Sequence, residues 1–324
     1  MEARVMKEIV FVVPPQVQLL DLAGPAQAFY EAAELGANYH LRYVGICDSV
    51  QSAQHLHLHH LEYFSDIQPG TQTTIVVAGV HGQRLQKENL RALGESFYQW
   101  LRDAHQAGAR ICSICNASFL LAESGLLKGR KCTTHWTRLN LLQEQYPGVE
   151  VVQNRLYIQD GSIFTSAGIS SGIDLALALI EQDHGPLLTA KVAQMLVIYL
   201  RRDGSQDQRS VFLDYRAHMN VQVHRVQDAL AQNPEHPHTL QKLADIAFMS
   251  PRHLTRQFKK ETGLSIKVYL TRLRMERAAI LLANPHLGME AVAERCGFKD
   301  ARQLRRLWRQ HSGRCPSASR PALN

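Results

Sequence analysis

The feature that most constrains this chain is a pair of short helices, separated by a tight turn, that occurs twice in its last third. The first helix of the first pair is indicated by apolar residues at the i, i+3, i+4 and i+7 spacing of one buried helix face: Leu240, Leu243, Ala244 and Ala247. Ser250 and Pro251 then supply an N-cap hydroxyl and a proline suited to the first helical position. A second helix therefore begins there, and Leu254 and Phe258 are its core anchors.

The opposite side of this second helix is polar and mostly cationic. It carries Arg252, Thr255, Arg256, Lys259 and Lys260. A cationic helix face that follows a tight turn is what insertion into the major groove of DNA requires. We therefore predict a helix-turn-helix unit over about residues 239 to 260.

The same design recurs after a connecting helix predicted over about residues 266 to 283. Met289, Val292 and Ala293 form a short apolar helix face, and Gly297 makes the turn. Asp300 is the predicted cap of a last helix that is anchored by apolar residues and carries four arginines. The anchors are Leu304 and Trp308, and the arginines are Arg302, Arg305, Arg306 and Arg309. A second helix-turn-helix unit is thus predicted over about residues 289 to 311.

The distribution of charge supports a polyanionic partner for this part of the chain. Residues 216 to 324 contain 19 lysines and arginines and 8 acidic residues, a net charge of +11, whereas the preceding residues have a net charge of −4. Clustered cations gain affinity for nucleic acid by releasing counterions from its phosphates. The alternative polyanion is a membrane surface. No apolar run is long enough to span a bilayer and no signal peptide is recognised, so we expect a cytoplasmic protein without membrane contact.

The preceding part of the chain has a different pattern, in which short β-branched runs alternate with helical stretches. Residues 9 to 13, 74 to 78 and 109 to 114 are predicted buried strands, and residues 25 to 33 and 90 to 107 are predicted helices. This alternation indicates a three-layer α/β sandwich with a mostly parallel sheet. We therefore predict an α/β domain over residues 1 to 200, a polar linker over 201 to 215, and an all-α domain over 216 to 320.

The C-terminal segments LADIAFMSPRHLTRQFKKETG, YLTRLRMERAAILL and AVAERCGFKDARQLRRLWRQHSG resemble the AraC/XylS-type DNA-binding domain. The resemblance implies two helix-turn-helix units joined by a linker helix. By motif position it places Arg252, Thr255 and Arg256 toward bases in the first unit, and Arg302, Arg305 and Arg306 in the second. Arginine can bond guanine O6 and N7 together, which fits base reading, whereas Lys259, Lys260 and Arg309 suit phosphate contacts.

The N-terminal segments LLDLAGPAQAF, ICSICNASFLLAESGLLKGRKCTTHW and TSAGISSGIDLALALIE resemble the DJ-1/PfpI superfamily, a class I glutamine amidotransferase-like fold. Joined to an AraC-type module, the whole chain is similar to GlxA-like transcriptional regulators. The resemblance places Cys115 on a sharp turn between a strand and a helix, where exposed amides favour the thiolate. Asp21 matches the acidic position beside that cysteine.

The superfamily includes thiol enzymes such as isocyanide hydratases, so a thiol enzyme is the alternative function. Three departures from the superfamily pattern count against retained catalysis. Ala117 replaces a glycine, and Asn116 replaces the histidine of the peptidase-like members. The stretch that usually contains Gly-Gly and stabilises the oxyanion is AGVHG here, at residues 78 to 82. Only His135 is an obvious base. We expect no catalytic residues, with Cys115, Asp21 and His135 as vestiges, and an inherited cleft that binds a small effector. The residues expected to line this cleft are Asp21, Cys115, Asn116, His135 and Trp136. Arg138, which is close to Trp136 in the sequence, is a further candidate.

Two motifs suggest metal binding, and neither is complete. Cys112 and Cys115 form a CxxC pattern, but Cys112 falls within a predicted buried strand and no second cysteine pair has zinc-ribbon spacing. In HLHLHH, residues 55 to 60, His55, His57 and His59 share one face of a predicted strand, and Leu56 and Leu58 are predicted to form its buried face. We expect no metal, no cofactor and free thiols.

These observations predict a transcriptional regulator and not an enzyme. The family resemblance implies that this regulator is an activator. Its expected partners are promoter DNA, a small-molecule effector and RNA polymerase, with a homodimer through the N-terminal domain. An effector can change the affinity for DNA only if it binds one arrangement of the two domains more tightly than the other. The predicted linker would transmit that change.

Overall fold

A computed structural model describes residues 6–198, 202–204, 206–282, 284, 287–312 and 315–316. The chain divides between Gln208 and Arg209 into two compact units, each with its own hydrophobic core. Among the described helices, none has the length and apolar character needed to cross a membrane.

The first unit is built on a seven-stranded sheet with the order β10-β11-β7-β6-β1-β2-β5. Its neighbouring strands are parallel except β10 and β11, which are antiparallel. Two further pairs, β3 with β4 and β8 with β9, lie outside it. The strands are β1 (Lys7–Val12), β2 (Tyr39–Gly45), β3 (Ser49–Gln51), β4 (His57–His59), β5 (Glu62–Tyr63), β6 (Thr73–Val77), β7 (Arg110–Ser113), β8 (Lys131–Cys132), β9 (Glu150–Val151), β10 (Tyr157–Asp160) and β11 (Ile163–Ser166).

Helices cover both faces of this sheet. They are α1 (Leu19–Glu34), α2 (Lys87–Arg91), α3 (Glu95–Gln106), α4 (Ser118–Glu123), α5 (Leu139–Gln145), α6 (Ser170–His184) and α7 (Pro186–Met195). Alternate residues of β1 point to opposite sides, so that Ile9 and Phe11 join the core with α1, α6 and α7, whereas Val10 and Val12 join the core with α2 to α5. The predicted three-layer sandwich with a mostly parallel sheet is confirmed.

Local boundaries differ from the prediction in two places. The helix expected over residues 90 to 107 is two helices, α2 and α3, because Gly94 adopts a φ of +92° that interrupts the helical backbone. The polar stretch expected as a linker over 201 to 215 is divided between the two units. Gln208 donates hydrogen bonds within the first unit, whereas Val211–Asp214 is a short helix of the second.

The second unit is entirely helical in its described part. Its helices are α8 (Val211–Asp214), α9 (Val221–Gln232), α10 (Leu240–Ile246), α11 (Pro251–Thr262), α12 (Ile266–Leu282), α13 (Met289–Arg295) and α14 (Ala301–Ser312). α12 is the predicted connecting helix, and it contributes to two cores. Tyr269 and Leu273 pack with α9, α10 and α11, whereas Met275, Ala278 and Leu282 pack with α13 and α14.

The helix-turn-helix anchors lie in these cores as predicted, with one exception. Leu254 and Phe258 are buried in the first core, and Leu304 and Trp308 in the second. Leu240, predicted on the buried face of α10, is 42% exposed. Leu240 is the first residue of α10, so its side chain lies at the solvent end of that helix.

Candidate functional site

Cys115 lies on the sharp turn between β7 and α4 that its sequence context predicts. Its φ is +58°, in the left-handed region that is costly for a residue with a side chain. Gly168, which follows β11, lies so close that a Cβ there would overlap the Cβ and Sγ of Cys115. Since β7 and β11 are parallel, their carboxyl ends meet at this edge of the sheet, which is where open α/β sheets bind ligands.

Asp21, on the first turn of α1, is completely buried beside this cysteine. Its Oδ1 accepts a 2.6 Å hydrogen bond from the backbone N–H of Ile169, whereas no N–H or O–H donor of the described residues reaches Oδ2. A Cβ at Gly79 would overlap that Oδ2 and approach Cys115, so glycine leaves both groups room. Burial raises the pKa of Asp21 to about 6, even though the Ile169 amide and the Cys115 thiol both lower it.

The backbone amide at this turn favours the thiolate of Cys115, as expected, but burial and a neighbouring charge oppose it. Burial, and next the negative charge of Asp21, raise the pKa of the Cys115 thiol well above its usual range. The backbone amide of Asn116 and the guanidinium of Arg138 act in the opposite direction and are outweighed. The balance of these effects favours the thiol, which is the weakly nucleophilic form.

Asn116, predicted to line the cleft, holds a loop in place. Its side-chain Oδ1 accepts from the N–H of Val80 at 2.8 Å, and its Nδ2 donates to the C=O of Val80 at 2.7 Å. These bonds fix the AGVHG loop beside the cysteine. Both ends of the amide are therefore engaged within the protein, which leaves little of it for a ligand.

His135 and Trp136 lie on the segment that leads into α5. His135 Nδ1 accepts from the N–H of Thr137 and is 2.8 Å from its hydroxyl, so the ring caps a short 3₁₀ helix. Among the described residues, no hydrogen bond joins this ring to Cys115 or Asp21. Burial, and then the charge of Arg138, lower the pKa of His135. Trp136 is 45% exposed beside it and is not a core residue.

The turn at Cys115 and the carboxylate of Asp21 also depend on residues that the sequence did not single out. Ile169 has a positive φ of +52° and supplies the amide that binds Asp21. Thr134 donates its hydroxyl to the C=O of Cys115 at 2.9 Å, and the side-chain amide of Gln208 donates to the C=O of Thr134 at 3.0 Å. The TSAGIS motif hinted at Ile169, whereas no sequence signal marks the bonds of Gln208.

The metal motifs remain incomplete in the structure. Within the described ranges, no group of three histidine, cysteine or acidic residues is arranged to hold a metal ion. Cys112 is fully buried in β7, as predicted. The prediction that Leu56 lies on a buried strand face is wrong, since it is 54% exposed and lies in the loop before β4.

The second unit presents the predicted cationic surface. Every predicted DNA-facing residue is exposed on α11 or α14: Arg252, Thr255, Arg256, Lys259, Lys260, Arg302, Arg305, Arg306 and Arg309. In the described part of the chain, no carboxylate forms an ion pair with any of these cations. The Thr255 hydroxyl donates to the C=O of Pro251, and an Arg256 nitrogen lies 3.2 Å from His253 Nδ1.

Caps and turns position both of these helices, α11 and α14. The Ser250 hydroxyl accepts from the N–H of His253, and Asp300 Oδ1 accepts from the N–H of Gln303, so both predicted caps are confirmed. Phe248 and Gly297 occupy equivalent turn positions with φ of +52° and +75°. The two units therefore use the same backbone turn with different residues.

Comparisons with known proteins agree with this division. The DJ-1/PfpI family model matches residues 7–182, and a helix-turn-helix domain model matches residues 243–322. The chain is 33% identical to the HTH-type transcriptional regulator CdhR of Pseudomonas aeruginosa, over 73% of this chain and 70% of that protein. It is 31% identical to an isonitrile hydratase of Pseudomonas putida, over 59% of this chain and 78% of the enzyme. A ThiJ/PfpI family protein from Pseudomonas syringae shares the fold, with a TM-score of 0.53, 20% identity and coverage of 75% of this chain and 91% of that one.

Proposed function

The chain belongs to the DJ-1/PfpI family and carries a helix-turn-helix domain, and from this we propose that it regulates transcription by binding promoter DNA in response to a small effector. One observation carries the proposal. Two capped helices, in one unit, expose eight lysines and arginines that no described carboxylate neutralises. Phosphates and base edges are the partners that such faces fit.

We assign base reading to Arg252, Thr255 and Arg256 in the first unit and to Arg302, Arg305 and Arg306 in the second. These residues lie on the exposed sides of α11 and α14, opposite the buried anchors. Lys259, Lys260 and Arg309 lie farther along the same helices and are assigned to phosphates.

The DNA assignment is tested with Arg256→Ala and Arg306→Ala in the full-length protein. Each should weaken binding to a site selected from genomic DNA by about 1 to 3 kcal/mol and relax the base preference at one position. The matched control is Lys267→Ala, which removes an exposed cation from α12. Unchanged affinity for both the selected and a scrambled duplex would refute the base-reading roles.

We propose that the first unit senses an effector and does not catalyse a reaction. Burial and the charge of Asp21 raise the pKa of its thiol, and the imidazole of His135 caps a 3₁₀ helix. A nucleophilic cysteine needs a base in reach and a stabilised thiolate. The effector is assigned to the sheet edge beside Cys115, where the carboxyl ends of the parallel strands β7 and β11 meet, since open α/β sheets bind ligands at this edge.

A thiol-dependent hydration reaction is the second candidate, and the Asp21–Cys115 pair together with the likeness to an isonitrile hydratase favours it. Cys115→Ala separates the two functions. If purified wild-type protein hydrates an isonitrile and this variant does not, the sensor assignment fails. If neither has activity and the variant still regulates its promoter, the enzyme assignment fails.

We further propose that the first unit forms a homodimer and that activation involves RNA polymerase in the cytoplasm. An apolar groove of about 550 Å³ runs along α1, between Leu22, Tyr30, Tyr43 and Leu58. Its rim is partly exposed, which fits burial against a second copy. Tyr30→Glu should shift the protein to a smaller species in analytical ultracentrifugation, and an unchanged sedimentation coefficient would refute this interface.

A further inference from the structure

The polar stretch that follows α7 is bound to the first unit along its length. Residues 202–204 and 206–208, which we call the strap, belong to that unit although their polar composition predicts a linker. At the start of the strap, Arg202 donates to the hydroxyl of Ser170 at 2.9 Å and to Asp174 Oδ2 at 2.5 Å. Asp174 is buried, so this ion pair is better shielded from solvent than a surface pair.

The middle of the strap packs against the start of β10. A Cβ at Gly204 would lie 2.6 Å from the carbonyl oxygen of Tyr157 and 2.8 Å from its ring, so a larger residue does not fit here. Two residues further on, the C=O of Gln206 accepts from the N–H of Leu156 at 3.1 Å. Because these contacts involve the main chain, they fix the path of the strap itself.

Gln208 is the last anchor of the strap. Its side-chain nitrogen donates to three oxygens at distances of 3.0 to 3.1 Å, which belong to Thr133, Thr134 and Arg155. The first helix of the second unit, α8, begins at Val211. While the strap is bound, only residues 209 and 210 therefore separate this anchor from α8.

The bound strap limits the length of free chain between the two units. If it were released, its seven residues, 202 to 208, would span at most about 23 Å when extended. In a homodimer, two released straps would together add up to about 46 Å. DNA sites on the same face of the duplex are about 34 Å apart for each helical turn between them. The state of the strap therefore decides which separations of two DNA sites a homodimer can span.

We propose that the bound strap selects the spacing between the two DNA half-sites that a homodimer occupies, and that Arg202, Gly204 and Gln208 determine this specificity. The inference rests on the proposed promoter binding and on the proposed homodimer. It adds the arrangement of half-sites that the protein recognises, which the base-reading residues do not set. A tether that cannot span two sites gives no gain in affinity from the second site.

The test uses the full-length protein and duplexes with two copies of the site selected from genomic DNA. One duplex has the spacing that the wild-type protein binds most tightly, and the other has about 10 bp inserted, one helical turn, which changes the distance and keeps both sites on the same face. The insertion should lower the affinity of the wild-type protein by about ten-fold or more, because the second site is then out of reach. The double variant Arg202→Gln, Gln208→Ala should lose less than about three-fold.

Gly204→Ala releases the strap by a different route. It introduces a Cβ that overlaps Tyr157 and keeps every anchoring side chain, and it should tolerate the insertion as the double variant does. Arg130→Gln is the matched control, because it breaks an ion pair with Asp160 in the same unit, and Arg130 is as exposed as Arg202, 34% against 33%. This control should respond like the wild type.

Release of the strap is measured separately by the rate at which trypsin cleaves after Arg209, which should rise in both release variants and not in the control. The proposal is overturned if the wild-type protein binds both spacings equally, if the release variants lose as much affinity on insertion as the wild type, or if their cleavage rate is unchanged. Loss of binding to a single site would instead refute the DNA-binding function. The sedimentation of Tyr30→Glu tests the homodimer independently.

Discussion

Asp21 is a single carboxyl group whose ionisation is unfavourable in the folded protein. Burial raises its pKa to about 6, whereas in the unfolded chain it titrates near 4. Between these values the folded state keeps a proton that the unfolded state has lost, so this group lowers the free energy of unfolding as pH rises through that window.

Asp21→Asn should remove this pH dependence, because asparagine keeps an oxygen for the Ile169 amide and carries no charge. Relative to the wild type, the variant should gain about 1 kcal/mol of stability between pH 5 and pH 8. Urea unfolding of both proteins across this range measures the difference. A gap that stays constant with pH would contradict the argument.

Asp183 is a buried carboxylate at the opposite edge of the sheet, and three side chains stabilise its charge. Arg110 donates to both of its oxygens at 2.9 and 2.6 Å, Lys7 donates at 2.5 Å, and the Tyr39 hydroxyl at 2.8 Å. Although burial alone would raise the pKa of Asp183, these partners hold it below its usual value.

Asp183→Asn should destabilise the first unit by about 3 kcal/mol, because Arg110 and Lys7 would lose the charge that compensates their desolvation. Asp103→Asn, on the exposed face of α3, is the matched control and should change stability by less than about 0.5 kcal/mol. Equal denaturation midpoints for the two variants would contradict the role assigned to this cluster.

Single residues were predictable from sequence where local backbone geometry decides their position. The turn of Cys115 follows from a strand running into a helix, and the resemblance places Asp21 beside it. Asn116 and His135 were assigned to the cleft because they are near Cys115 in the sequence or its motif. Both side chains instead accept from backbone N–H groups, and the positions of these donors depend on loops whose conformation the sequence pattern does not specify.

At the level of elements, the two turns of the second unit place different residues in the same strained conformation. Gly297 packs against the backbone of Glu235, which a Cβ would overlap. Phe248 adopts a similar positive φ at an exposed position. Its side chain is 82% exposed, and the guanidinium of Arg225 lies over its ring. The left-handed conformation costs a side-chain-bearing residue about 1 kcal/mol relative to glycine.

Gly297→Ala should therefore destabilise the second unit by about 2 kcal/mol or more, since strain and overlap add. Phe248→Gly should be neutral or stabilising by up to about 1 kcal/mol, because relief of strain outweighs one exposed cation–π contact. Thermal unfolding followed by calorimetry measures both. A destabilised Phe248→Gly variant would show that the aromatic ring has a packing role that its exposure conceals.

Elements were predictable where caps and periodicity agree. Ser250, Pro251 and Asp300 mark helix starts through local hydrogen bonding, so α11 begins and α14 is capped where the sequence indicates. The break at Gly94 was missed because apolar periodicity continues across it, from Leu90 to Leu101. Short strands such as β5 and β8 have two residues each, too few for any periodic pattern.

For the whole molecule, composition and charge located the two units but not the role of the segment between them. A polar stretch predicts a linker because it cannot form a core. Here Gln208, the last residue of the first unit, donates through one side-chain nitrogen to the Thr133 hydroxyl and to the carbonyls of Thr134 and Arg155. Those partners are distant in sequence, so only the folded chain reveals them.

Gln208 therefore lies at one end of a chain of hydrogen bonds that ends at the cleft. Its amide binds the Thr134 carbonyl at 3.0 Å, and the Thr134 hydroxyl binds the Cys115 carbonyl at 2.9 Å. The second unit begins at the next residue, Arg209. If effector and DNA binding are coupled through this segment, the coupling must be reciprocal, so operator DNA must alter the cleft as the effector alters DNA affinity.

Operator DNA should accordingly change the rate at which iodoacetamide alkylates Cys115 in the full-length wild-type protein, while a scrambled duplex should not. Gln208→Ala should abolish this response and still bind the operator, because it removes the bonds to the cleft and leaves α11 and α14 intact. Gln99→Ala, on exposed α3, is the control and should respond like the wild type. If operator DNA alters the alkylation rate equally in Gln208→Ala and in the wild type, the two units communicate without this residue.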